Sequence, residues 1–162
     1  MVWAMPAAAV PPGSSAAAEA LAMCHRASEL NGDEQAELLA RSLDLARAAV
    51  QADERDALGH YAMVCVIGKQ LENGGSGIGQ LIGVYRLRRA LDATLELAPN
   101  DADTLTAKGA LLVRLPRLLG GDPAEAAVLL RRALVAEPDN GTAKCYLAAA
   151  ERGGADTADP HC

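Results

Sequence analysis

Along most of this chain apolar residues recur three and four positions apart, and short polar turns break the pattern. That interval is the period of a helix with one buried face, whereas a half-buried strand alternates. After an Ala/Pro-rich stretch over residues 1–14, Ser15 is placed to cap a first helix of about Ala16–Leu30. Asn31-Gly32 ends it. Asp33 caps a second helix that runs to about Ala52, with Leu38, Leu39, Ser42, Leu45, Ala46 and Ala49 along one face. A third, about Asp56–Leu71, carries Tyr61, Val64, Cys65 and Ile67. Residues 72–79, Glu-Asn-Gly-Gly-Ser-Gly-Ile-Gly, form the clearest loop. A fourth helix, about Gln80–Leu97, sets Leu81, Val84, Leu87, Leu91 and Leu95 on its buried side, and Pro99-Asn100 ends it.

The fifth helix covers about Ala102–Leu115 and stops at Pro116, or at Gly120-Gly121 beyond a kink. Asp122-Pro123-Ala124-Glu125 is a compact helix start: an N-cap carboxylate, a proline at the first helical position, and a glutamate in the first turn. The sixth helix runs to about Ala136, Pro138-Asp139-Asn140-Gly141 closes it, and a seventh spans about Thr142–Arg152 before a polar tail at 153–162. The expected fold is all-α, with one helical domain over residues 15–152.

Composition supports that class. The apolar half of the 162 residues is Ala, Leu and Val, with no Phe, one Trp and three Tyr. Small side chains let helix axes approach, and the β-branched and aromatic residues that sheets favour are sparse. The net charge of −6 argues against a nucleic-acid binder, which needs a basic face to displace phosphate counterions. Arg86, Arg88 and Arg89 cluster, as do Arg114 and Arg117, and both sets read as solvated helix faces. No apolar run reaches the ~18 residues of a membrane span.

Three helix ends resemble one another. Arg47-Ala-Ala-Val-Gln-Ala-Asp53, Asp92-Ala-Thr-Leu-Glu-Leu-Ala-Pro99 and Arg132-Ala-Leu-Val-Ala-Glu-Pro138 each precede a short turn and a further helix. Ala126, Leu130, Ala133 and Pro138 have the spacing of the second helix of a tetratricopeptide repeat. Gly109 lies where that family places a small residue so that paired helices touch. Over about residues 16–152 the chain resembles the tetratricopeptide family. The resemblance implies a right-handed superhelix of antiparallel helix pairs, here three pairs plus a C-terminal capping helix. The prolines at 99 and 138 are 39 residues apart, longer than the family period of about 34, so this is a divergent member. The extra residues fall in the Gly-rich loop and in Leu115-Pro-Arg-Leu-Leu-Gly-Gly121. The chain looks most like bacterial members with such a Leu-Pro-Arg segment, some of which are exported and work beside transporters or envelope complexes.

The family's ligands are peptides or helices held in a concave groove. Carried over by register, the lining is His60, Val64, Ile67, Thr106, Ala110, Val113, Arg114 and Cys145. The expected function is therefore a non-catalytic protein-interaction module or scaffold subunit. Its partner is a peptide, a protein, another copy of the chain or an envelope assembly. Trp3, Met5 and Pro6 make the N-terminal stretch a candidate docking tail. That stretch lacks the basic and long apolar regions of a signal peptide. Its Ala-rich character fits the surroundings of a cleavage site, so a periplasmic or otherwise exported location is expected, with the cytoplasm as the alternative.

Other chemistry is weakly encoded. Gly75-Ser-Gly-Ile-Gly79 has neither the Gly-Lys-Ser/Thr of a phosphate loop nor a preceding strand. Cys24, Cys65, Cys145 and Cys162 contain no Cys-x-x-Cys pair, so no metal site or cofactor is expected. Their wide spacing assigns no disulfide, and Cys65 and Cys145 are expected as buried free thiols. A small-ligand or enzymatic role using His60 with Cys65 or Cys145 is the alternative function. Asp33, Glu34, Glu37, Asp101 and Asp103 sit in first helical turns, where a carboxylate favours the helix dipole.

Overall fold

The computed structural model describes residues 13–74 and 77–153. Among them are seven α-helices and no strand: α1 Ser15–Ala27, α2 Gly32–Ala52, α3 Ala57–Asn73, α4 Ile78–Leu97, α5 Ala102–Arg114, α6 Pro123–Ala136 and α7 Gly141–Glu151. The all-α class is as expected. The chain divides into two compact units at Ala98/Pro99.

In the first unit α1 packs on α2 and α3, α2 on α3, and α3 on α4. The first three helices meet on alanine. Ala20, Ala46 and Ala62, one from each, are fully buried together, with Leu21, Leu45 and Met63 packed around them. Ala17, Cys24 and Ala27 extend the small-residue face of α1. Such close axes bring a buried hydroxyl within reach of a neighbouring backbone: Ser42 Oγ on α2 donates to the Ala20 carbonyl on α1 at 2.7 Å. Asp56 ties the helix starts together. It caps α3 by accepting from the Gly59 amide at 2.9 Å and also accepts from the Ser14 amide at 3.0 Å. Ser14, rather than Ser15, caps α1 through the Ala17 amide. Asp33 lies within the first turn of α2, whose N-cap position is Asn31.

Residue 81 differs from expectation. α4 buries Leu87, Ala90, Leu91 and Thr94, while Leu81 is 49% exposed. The buried face continues toward the N-terminus through Gly83 and Gln80, not through Leu81. A Cβ on Gly83 would stand 2.6 Å from Leu71 Cδ2, so this glycine lets α3 and α4 touch. The loop between them is also shorter than the sequence suggests, because α3 runs on to Asn73 and α4 starts at Ile78.

In the second unit α5 packs on α6 and α7, and α6 on α7. Gly109 is where the sequence placed a helix contact: a Cβ there would lie 2.5 Å from Leu130 Cγ of α6. Asp101 caps α5 through the Thr104 amide, and Asp122 caps α6 through the amides of Ala124 and Glu125. The Leu-Pro-Arg insertion is a closed turn. Arg117–Leu119 make one 3-10 turn, Gly120 takes a left-handed φ of 87°, and the Gly121 amide returns to the Pro116 carbonyl at 3.0 Å. Leu118 stands at its tip almost wholly in solvent.

Candidate protein-binding surface

Among the described residues, an exposed apolar surface grows out of the start of α4. Gly77, at φ 119°, turns the chain, and its carbonyl accepts from the Gln80 amide. The Gln80 side chain reaches back to donate to the Leu71 carbonyl at 3.0 Å, one of the groups a helix C-terminus leaves open. With Gln80 and Gly83 committed to α3, the apolar residues of these two turns face outward. Ile78, Leu81, Ile82 and Tyr85 are 78%, 49%, 55% and 62% exposed. Their spacing of i, i+3, i+4 and i+7 makes one continuous stripe. Scattered exposed apolar residues are ordinary, but a contiguous stripe on one helix makes a candidate interaction surface.

Beside the stripe lies a pocket of about 340 Å³ between α3 and α4. Ile67 and Leu71 form one wall, and Gln80, Ile82, Gly83 and Arg86 the other. Arg86 Nη2 is buried there and makes no hydrogen bond. A wider pocket of about 510 Å³ shares Gln70 and Gly74 and extends to Gln35 and Leu39 of α2. Its floor is stiffened by the Asn73 amide, which donates to Gln35 Oε1 at 2.7 Å, and by Gln35, which donates to the Ala27 carbonyl.

The expected groove residues are placed differently. Val64, Ile67 and Val113 are buried, as is Thr106, which accepts from Asn140 Nδ2 at 3.5 Å. All four serve the packing of the helices, and Ile67 also lines the pocket between α3 and α4. His60 is half-buried, and its Nε2 pairs with the Glu54 carbonyl. Ala110 is half-buried, and Arg114 is exposed with its guanidinium 5.9 Å from the Tyr146 ring centroid. Trp3, Met5 and Pro6 lie outside the described residues.

The cysteines are corrected outright. Cys24 of α1 and Cys65 of α3 form a disulfide, with Cα atoms 6.3 Å apart and a sequence separation of 41. Cys145 is also disulfide-bonded. Neither Cys65 nor Cys145 is the free thiol expected, so a Cys–His pair with His60 has no thiolate to use. The sequence could not reveal this because 41 residues of separation is compatible with any pairing; only the crossing of α1 and α3 brings the two together.

One carboxylate titrates unusually. Burial pushes the Asp56 carboxyl up, but hydrogen bonds from the hydroxyl and amide of Ser14 and from the amides of Gly59 and Leu58 outweigh it and hold its pKa below the ordinary value. These bonds identify a structural clasp rather than an acid–base group. Among the described residues no cluster of three or more His, Cys, Asp or Glu is arranged to hold a metal ion, and no helix is long and apolar enough to cross a membrane.

Ile78, Ile82, Tyr85 and Arg86 escaped the sequence reading as site residues. The signal was present as a second helical stripe on α4, offset from the first. Compared with known proteins, the chain matches no family model and no curated sequence.

Proposed function

We propose that this chain is a non-catalytic protein-binding module of tetratricopeptide type that acts in an oxidising compartment, periplasmic or otherwise exported. The observation that carries the reading is the exposed stripe Ile78, Leu81, Ile82 and Tyr85. It stands on a helix whose opposite face is committed to the core, which is how a rigid scaffold presents a docking surface. The repeat reading draws support from the glycine-mediated contact of Gly109 with Leu130 and from buried Ala126, Leu130 and Ala133 at the family's spacing. The compartment reading draws support from the Cys24–Cys65 disulfide, since such bonds persist outside reducing cytosol. Association with an envelope complex belongs to the same proposal.

The test is cross-linking in the native host with a photoreactive residue placed singly at 82, 114, 118 and 135. All four positions are exposed and spread over both units. A specific adduct with one protein at one or more positions is expected. If all four give only background in cells that express the folded chain, the protein-binding reading is wrong.

A further inference from the structure

Arg86 sharpens this reading. A buried guanidinium nitrogen without a hydrogen bond is rare, because donors removed from water are nearly always satisfied. Arg86 Nη2 is in that state, and among the described residues lining the pocket that Arg86 borders there is no carboxylate; the other polar side chains among them are the amides of Gln70 and Gln80. The Gln80 amide nitrogen is already used on the Leu71 carbonyl. Ile82 belongs both to this pocket and to the exposed stripe, so a side chain seated on the stripe lies beside the wall that Arg86 forms.

We propose that α4 docks an amphipathic helix of the partner protein, and that an Asp or Glu side chain of that helix enters the pocket and accepts a hydrogen bond from Arg86. The inference rests on the protein-binding reading above. From Ile78 to Tyr85 the stripe rises about 10 Å along the helix at ~1.5 Å per residue, which matches two turns of a partner helix lying along it. Arginine supplies the planar fork that carboxylates favour, and a charge-assisted bond in a partly desolvated pocket gives the site its selectivity.

The same geometry disfavours a second copy of this chain as the occupant. Two α4 stripes paired antiparallel about Leu81 and Ile82 set Arg86 opposite Gly77, which has no carboxylate. A parallel pair sets Arg86 beside its own counterpart, like charge against like. An anionic bilayer fits less well than a helix, because the unpaired nitrogen is buried beside the stripe rather than presented to a flat surface.

The experiment uses the full chain and a phage-displayed library of single helices, with Leu fixed at i, i+3, i+4 and i+7 and the other positions random. Selection on the native chain is expected to enrich Asp or Glu at one position, and selection on Arg86→Gln is not. For the best synthetic peptide, Glu→Gln is expected to weaken binding to the native chain roughly tenfold or more, the loss of one charge-assisted bond. The Glu and Gln peptides are expected to bind Arg86→Gln equally. Circular dichroism confirms that this variant is folded, and Ile82→Glu is expected to remove binding of both peptides. The proposal is overturned if no helix is selected, if no acidic position is enriched, or if Arg86→Gln binds as the native chain does. It is also overturned if sedimentation shows a native dimer that Ile82→Glu dissolves, or if phosphatidylglycerol vesicles bind through Ile82 with no acidic-peptide preference. Cross-links to a partner from positions 114, 118 or 135 alongside a failed selection would retire the α4 site and leave the protein-binding reading standing.

Discussion

Removing the Cys24–Cys65 bond should weaken the first unit substantially. The bond closes a loop with a sequence separation of 41 residues. The chain-entropy relation puts the stabilisation from closing a loop of that length at about 4 kcal/mol. That is a large share of the ~5–15 kcal/mol by which domains are stable. The native state loses little else in Cys24→Ala/Cys65→Ala, since each change deletes one sulfur atom, so the effect falls mainly on the unfolded chain. With a urea slope of about 1–3 kcal/mol/M, the midpoint of the first unit should drop by roughly 1.5–4 M. The assay is urea unfolding of the native chain and the double variant by far-ultraviolet circular dichroism, with a non-reduced digest to show the Cys24 and Cys65 peptides joined in the former. Cys145 is disulfide-bonded too, so substitution separates the two bonds where a reductant would not. If the digest shows the bond and the midpoints coincide, the entropic reasoning is wrong, and the denatured chain holds α1 near α3 without it.

Three further outcomes follow from named contacts. Gly109→Ala should destabilise by about 1–3 kcal/mol through overpacking against Leu130, less the helix propensity regained. Gly68→Ala, also helical but with nothing within 4 Å of the new Cβ, should stabilise by up to ~1 kcal/mol; thermal unfolding of the pair checks the contrast. Asp56 has a folded pKa below its unfolded value, so its contribution is present above about pH 4 and is lost as pH falls through the lower folded value. Urea midpoints should therefore fall more steeply on acidification in the native chain than in Asp56→Asn, which should itself be weaker by about 1 kcal/mol at neutral pH. Leu91→Ala, at a fully buried site, should cost about 2–5 kcal/mol, whereas Ile82→Gln should leave stability within ~0.5 kcal/mol because that side chain is half in solvent.

What the sequence revealed was mostly local chemistry. Asp122 was legible as a cap because a carboxylate beside open amides works the same way in any fold, but Ser15 and Asp33 lie inside the helices they were expected to cap. Gly109 was legible from its distance to Pro99. Facing was harder. Leu81 and Leu87 are six residues apart and point about 120° from each other on an ideal helix, yet both fit a loose three-or-four periodicity. Only the contact of Gly83 with Leu71 decides which of them is inside. Periodicity likewise cannot distinguish a side chain turned to a groove from one turned to a neighbouring helix; Val64, Ile67 and Val113 are buried. Arg86 was visible only as one of three clustered arginines. Its unmet hydrogen bond is a property of the pocket, and no pattern in the chain encodes it.

The bond between α1 and α3 also governs what copies of this chain can do to one another. Among the described residues α1 makes its principal contacts with α2 and α3, which is the situation in which a helix can leave its own fold and complete a neighbour's. Once Cys24 is joined to Cys65, the departing helix would have to carry α3 with it. Oxidation therefore closes the route to exchange of α1 between molecules, and a reduced chain at high concentration is the form in which swapped dimers should be sought.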